Sequence, residues 1–513
     1  MKQDLTPLAL PPGVYRNGTE YQAVGRWYDC NLMRWFEGTM RPIGGWVPLQ
    51  QSILEEVEES VFEEALAPVV VSGVPRAMRA WRAGPMRDAW LGVGTHTSLM
   101  AFTQGTLHDI TPAGLTPGIA DSLIVAGAYG AGVYGGQAYG VGNETQGAEV
   151  EASSWQLDTF GDFLVGVLLG DGILYYWDPS TPETVALPMD NAPTDCVGIV
   201  VTPERHVVAL GAGGDGRRLV FASRETLDEW DPLAEGSTAG GFTLEGKGLL
   251  MAGRRGRSET LIWTEDALWA LRFSGGILVY GLERVGEECG PVSRHSMHVE
   301  GGQAIWMGQR AFFRYDGFVS AVPCEVSDDV FRDFNYAQRA KVVTVARSEF
   351  GEVTWYYPSA LSQENDRYVT WNSRENHWAV GVLSRTAGVD RQPFQYPIQA
   401  DATGTLYEHE REFDYEGDTP FAESGPIQVG AGGRLMHMSQ LVPDEANLGQ
   451  TRVRLFSRQY PTGAERAYGP FSSAEPTPIR VLGRQVRLRI EGVEAEDWRV
   501  GIFRYEGSPG PRR

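Results

Sequence analysis

The chain has no apolar stretch of the length a bilayer crossing needs, about 18 residues or more, so a transmembrane helix is not expected. Cysteine is scarce. Cys30, Cys196, Cys289 and Cys324 form no C-x-x-C pair, which argues against a zinc ribbon or a redox motif. A disulfide framework needs denser cysteine, so these residues are expected to be reduced and structural. Met1 to Leu5 shows no basic segment leading into an apolar core, so no signal peptide is expected, and the product should stay soluble in the cytoplasm where it is made. Positive charge is in the minority, with 44 Lys and Arg against 66 Asp and Glu and a net charge of −22. No Lys/Arg stripe interleaved with aromatics runs through the main body. An acidic surface repels phosphate and forbids the counterion release that drives nucleic-acid binding. Arginines do gather near the end, at Arg480, Arg484, Arg487 and Arg489. Their alternating spacing suggests an exposed face of one strand, or an interface.

What the chain does have is one short β-unit written repeatedly. Gly161–Gly170 with Ile173–Asp178 is one copy, and Ala304–Trp306 with Ala311–Tyr315 another. Leu261–Thr264 with Ala267–Leu271, Trp90–Gly94 with Leu99–Phe102, and Val353–Tyr357 with Tyr368–Trp371 complete the clearest set. Each is an apolar or alternating strand, a turn signal and a second strand carrying an aromatic. Such units at intervals of roughly 40–50 residues are the mark of β-propeller blades. Fifteen Trp and 63 Gly suit strands separated by tight turns, and 42% apolar residues supply a core. Further blades are expected at Val207–Trp230, Phe242–Phe273, Ser296–Phe318, Ala340–Trp378 and Ile398–His409. Helical periodicity is almost absent. The best candidate is Ser327–Phe334, with Ser327 as N-cap and acids in the first turn.

The fold class expected is therefore all-β: a β-propeller over residues 76–420, a small C-terminal β-sandwich-like module over 421–513, and an extended N-terminal arm over 1–75. Strict alternation in Thr451–Phe456 and Val486–Ile490 supports the C-terminal module. Within the arm, the acidic run 54–64 reads as a solvated insertion or one to two helical turns. Three Tyr-Gly pairs between Gly127 and Gly140 read as an ordered loop.

Motifs for chemistry are weak. Gly211–Gly216 satisfies G-x-G-x-x-G, but Arg217–Ala222 after it is strand-like, so the run is a hairpin turn and not a dinucleotide loop. His409-Glu410 opens like a zincin motif, yet position 413 is Phe413. Asp171 and Asp316 belong to Asp-Gly hairpin turns. There is no Gly-x-Ser-x-Gly elbow and no Walker loop. No catalytic, cofactor or metal residue is assigned, and no enzymatic activity is expected.

Several stretches are similar to the tail nozzle, or packaged-DNA stabilisation, proteins of short-tailed bacteriophages. They are Leu10–Thr19, Gly25–Asp29, Arg34–Gly38, Arg41–Trp46 and His108–Pro112, then Tyr315–Gly317, Trp355–Pro358, Asn365–Tyr368 and Leu406–Glu410. The resemblance covers most of the chain, through pattern and not through a diagnostic motif. It implies a structural virion protein: a homohexameric propeller ring at the tail tip that closes the channel and retains the packaged genome until ejection. Its partners would be tail adaptor proteins and a fibre, spike or needle, with DNA passing unbound. The wall facing such a ring's axis is expected to carry more Asp/Glu than Lys/Arg, and the isolated protein to bind duplex DNA negligibly. The alternative is a propeller that binds or hydrolyses host glycan, using acids from several blades that meet at the centre of the wheel.

Overall fold

The computed structural model describes residues 5–58, 61–125, 148–276, 278–428, 434–446 and 448–509. The unit legible in the sequence is, in five cases, the second and third strands of a four-stranded antiparallel sheet. These are Asp88–Thr95 with Leu99–Thr103, Phe163–Leu168 with Leu174–Trp177, Thr260–Thr264 with Ala267–Phe273, Gln303–Met307 with Phe312–Tyr315, and Glu352–Tyr357 with Arg367–Asn372. Val207–Leu210 with Arg218–Phe221 and Ile398–Ala400 with Leu406–His409 hold the same places in two more sheets. The innermost strands are, in order, Pro75–Ala83, Trp155–Phe160, Gly198–Val201, Leu250–Arg255, Met297–Glu300, Val343–Arg347 and Ala387–Val389. The first lies against both the second and the seventh, so the sheets close into a seven-bladed β-propeller. The chain is all-β, as expected.

The middle strands are largely apolar because each is covered on both faces by the neighbouring blades, and Thr260–Thr264 and Glu352–Tyr357 are buried at every position, with Glu352 paired to Arg34. Indoles tie one blade to the next. Trp155 Nε1 donates to the Thr95 carbonyl (2.9 Å), Trp355 Nε1 to Ser296 (2.9 Å) and Trp306 Nε1 to Cys289 (2.6 Å). Turns follow the residues that permit them. Gly317, at φ 108°, turns the chain between Phe312–Tyr315 and Val319–Val322, and Gly211–Gly214 turns it between Val207–Leu210 and Arg218–Phe221. The expected segment Phe242–Phe273 is not one blade. It begins in the outer strand of the third, Gly240–Thr243, and continues into the fourth.

The residues read as an N-terminal arm are shared among several sheets. Trp46–Pro48 is the outer strand of the seventh blade, antiparallel to Leu406–His409. Leu5–Pro7 pairs with Arg504–Pro509, beside Met436–Val442 and Thr477–Gly483. Trp27–Asn31 pairs with Phe421–Ser424, at one edge of a five-stranded sheet with Gln485–Gly492, Thr451–Arg458 and Arg466–Ser472. One continuous core joins these two sheets to the fifth and sixth blades, from Val453, Leu488 and Trp498 through Trp27 and Trp35 to Phe312, Trp355 and Trp378. The acidic run is not helical: Gln50–Glu58 and Val61–Pro68 pair as a hairpin, a form that β-branched and apolar residues at its ends favour. Ser327–Arg332 is a helix as expected, but Val326 is at its N-cap and the Ser327 hydroxyl is turned to Asn17 Oδ1 (3.4 Å). The Tyr-Gly pairs lie outside the described residues.

A buried ion cluster locks this closure. Arg34, 2% exposed, forks onto Glu352 of the sixth blade (3.0 and 2.8 Å) and onto Glu410 after the seventh (2.8 and 2.7 Å), while Arg347 Nε lies 3.1 Å from Glu410. The Phe350 ring covers the Arg34 guanidinium at 3.6 Å. Two guanidiniums and two carboxylates balance, as a buried network must. Burial alone raises the Glu410 pKa, but Arg34, Arg347 and the Gly44 amide outweigh it and hold the group below the usual carboxylate range. A depressed native pKa contributes stability above the unfolded value, which is lost as pH falls through the native one. Glu410→Gln should therefore lower stability at pH 7 by about 3–5 kcal/mol, since it leaves guanidinium charge uncompensated. In urea unfolding, the gap between wild type and variant should shrink as pH falls below about 4. A gap constant from pH 7 to 3 would contradict this account.

Candidate functional site

Closing seven blades brings their inner strands to one axis, and five of them line a cavity of about 390 Å³ there. Its floor is polar and spans the ring. Arg254, from the fourth blade, donates to Gln156 Oε1 of the second (3.1 Å) and to the carbonyls of Gly253 (2.8 Å) and Arg294 (3.2 Å). Gln156 Nε2 in turn donates to His295 Nε2 (3.3 Å), just ahead of the fifth blade's inner strand. Burial first, then the neighbouring Arg254 and Arg294, push His295 down to about 3, so it is neutral and serves as an acceptor.

Nearer the mouth, Asp158 gathers two more arginines. Its Oδ1 lies 2.9 Å from Arg79 Nη2 of the first blade and 3.4 Å from Arg255 Nη2 of the fourth, and also accepts from the Thr159 amide (2.8 Å). Its Oδ2 accepts from the Val201 amide (2.8 Å). Both oxygens of this nearly buried carboxylate are thus committed to holding the second, third and fourth blades and two guanidiniums in register. Arg79 and Arg255 remain about 40% and 38% exposed.

Opposite the mouth, the described parts of the connection between the first and second blades, up to Val125 and from Ala148, are pinned to linkers around the ring. Asp121 meets Lys341, whose ammonium is wholly buried and also bound by Glu364. Ser122 exchanges hydrogen bonds with Gln338 (both 3.2 Å), and Glu151 lies 3.4 Å from Arg294. Arg76 reaches the Ala120 carbonyl (3.2 Å) and forks onto Glu364. The cavity is a cup, open at the end where Arg79 and Arg255 stand.

The residues singled out in the sequence lie elsewhere. Arg480 is on Thr477–Gly483 and Arg487 and Arg489 on Gln485–Gly492, so the four arginines span two strands. Arg487 is bound by Glu423 and by Glu465 (2.5 Å), and Arg489 by Glu491 (3.2 Å), while Arg484 stacks on Tyr460; only Arg480 keeps the exposed placement expected. His409 accepts from Arg385 (2.8 Å), and Glu410 belongs to the closure cluster. Asp171 accepts from Tyr175 (2.9 Å). The four cysteines are free thiols, and burial raises Cys30 and Cys196 to about 12 and Cys289 to about 11. Arg79, Asp158, Arg254 and Arg255 were missed because they are far apart in sequence. The available signal was an Arg-Arg pair ending an apolar segment in an otherwise acidic chain.

No protein-family model matches the chain, and no curated protein matches it. Among solved structures it is similar to the Swd1 β-propeller domain of Myceliophteria thermophila, at 10% identity and a TM-score of 0.38, over 66% of this chain and 96% of that one. It is also similar to the Neurospora crassa Pan2 WD40 domain, at 7% identity and 0.39, over 71% and 94%. Hsv2 of Kluyvelomyces marxianus gives 6% and 0.30, over 53% and 71%. The similarity is one of propeller fold. These neighbours are propellers of eukaryotic cellular proteins, and the tail-nozzle resemblance is set aside with what it implied: the hexameric ring, the adaptor and fibre partners, packaged DNA and the virion tail tip. The glycan alternative is not supported either: among the described residues, the acids expected at the centre of the wheel do not gather in the cup. Asp158 is the one carboxylate lining the cup, among three arginines.

Asp158→Asn should leave Arg79 and Arg255 without their shared counter-charge and cost about 1–2 kcal/mol, discounted for the exposure of both guanidiniums. Equilibrium urea unfolding at pH 7 measures this. No change in midpoint would mean that Asp158 does not organise the cup.

Proposed function

We propose that this protein is a non-catalytic binding scaffold, a propeller that receives a partner at the open mouth of its axial cup. The observation that carries this reading is the cup itself: one basic concavity on an acidic molecule, assembled from five blades. A wall of one sign in a low-dielectric recess focuses the field on an incoming group of the other sign. The same geometry disfavours proton-transfer chemistry. Asp158 has both oxygens committed to amides and guanidiniums, and the neutral His295 accepts from Gln156, so neither is placed to take a proton from a substrate. Rigid inner strands suit presentation, since a preorganised site spends little entropy on binding.

A photo-crosslinking amino acid at position 298, on the cup's lining, should capture a partner in extracts of the source organism. The same group at position 320, on an outer strand, should not. Adding Arg255→Glu should reduce the position-298 adduct by about tenfold or more while leaving the melting temperature within a few degrees. Capture from position 320 alone, or an adduct indifferent to Arg255, would refute an axial binding role.

A further inference from the structure

Among the described residues, the cup's charge does not balance. Three guanidiniums, Arg79, Arg254 and Arg255, share one carboxylate, Asp158. Asp158 serves the two arginines at the mouth, whereas the acceptors of Arg254 are an amide and two backbone carbonyls, all neutral. Burial, offset only in part by Asp158, lowers Arg254 to about 10, which leaves it charged at neutral pH without an ion pair of its own. Arg79 adds a buried Nε with no hydrogen-bond partner. A recessed cation is costly unless something pays its desolvation, and here the missing counter-charge is about two units.

Resting on the axial binding role above, we propose that the cup binds a phosphomonoester dianion, seated between Arg254 on the floor and Arg79 and Arg255 at the mouth. A phosphomonoester carries about −1.5 to −2 at neutral pH and presents three acceptor oxygens. That charge matches the surplus, and several oxygens at once suit planar guanidinium forks converging from different blades. A single carboxylate leaves one guanidinium uncompensated. The volume exceeds what a bare ion needs and admits the group that carries the phosphate. The chain's net charge of −22 opposes a long polyanion, which needs a continuous basic track. The ester has two sources, a free small molecule or a phosphorylated side chain.

Calorimetric titration of the full chain tests this with phenyl phosphate, a phosphoserine peptide, the same peptide unphosphorylated, and benzoate as a monoanionic control. Phenyl phosphate or the phosphopeptide should saturate one site per chain and be displaced by inorganic phosphate. It should bind at least about tenfold more tightly than benzoate or the unmodified peptide. Arg254→Met and, separately, the rim variant Arg255→Gln should each weaken it about tenfold or more, with circular dichroism and melting temperature confirming the fold. Tighter binding of the free ester identifies a small-molecule source, and tighter binding of the phosphopeptide a side-chain source. Benzoate binding as tightly as phenyl phosphate, and lost in Arg254→Met, overturns the dianion inference but keeps an axial anion site. Absence of saturable binding by any probe up to millimolar concentration overturns it too. The axial scaffold then stands only if the Arg255-dependent crosslink from position 298 persists. Phosphate binding unaffected by either substitution places that ligand elsewhere and refutes the assignment.

Discussion

Ring closure is the constraint on which the rest of this structure depends. Seven sheets must meet around one axis, and the last has only three strands of its own until Trp46–Pro48 supplies the fourth. Without that strand, Leu406–His409 is an open edge, with unpaired donors and acceptors that invite non-native pairing. Hydrogen bonds alone make a short strand a weak clasp. The Arg34 fork onto Glu352 and Glu410 strengthens it because the three residues come from the Met33–Phe36/Thr39–Pro42 hairpin, the sixth blade and the end of the seventh. The cluster exists only when all three are in place, so closure is cooperative.

The same N-terminal segment also ties the propeller to its neighbour. Leu5–Pro7 and Trp27–Asn31 each complete a sheet otherwise built from the C-terminal residues, and their side chains share a core with the fifth and sixth blades. Chain start and chain end are thus held in one body by β-pairing and continuous apolar packing. The Arg487 and Arg489 pairs with Glu423, Glu465 and Glu491 belong to that assembly, which explains a basic cluster that makes no basic surface.

Closure has a consequence at the axis. Inner strands are the only elements that every blade brings to one place, so residues far apart in sequence become neighbours there. Arg79, Asp158 and Arg255 come from three blades and meet at the Asp158 carboxylate. Asp121, Ser122 and Glu151, from the connection between the first and second blades, pin that connection to Lys341, Gln338 and Arg294 of linkers around the ring. Three arginines against one carboxylate in the cup stand out in a chain of net charge −22.

The repeat was legible in the sequence because a middle strand, covered on both faces, is mostly apolar and aromatic; Thr260–Thr264 and Glu352–Tyr357 announce themselves this way. Alternation in Thr451–Arg458 and Gln485–Gly492 was legible for the same local reason, since one face is buried and the other wet. Local chemistry also decided the Asp-Gly turns and the short helix at Ser327–Arg332. Nothing local distinguishes an outer strand such as Trp46–Pro48 from loop, because its partner lies 360 residues away, and the acidic hairpin was misread for want of a helical or strand period. Resemblance of pattern also misled, since aromatic strands and Gly turns recur in any propeller. The blade number, the neutralisation of the terminal arginines and the cup with its surplus charge were decided by tertiary structure alone. Each depends on angular closure and on which distant side chains meet, and no window of sequence contains either.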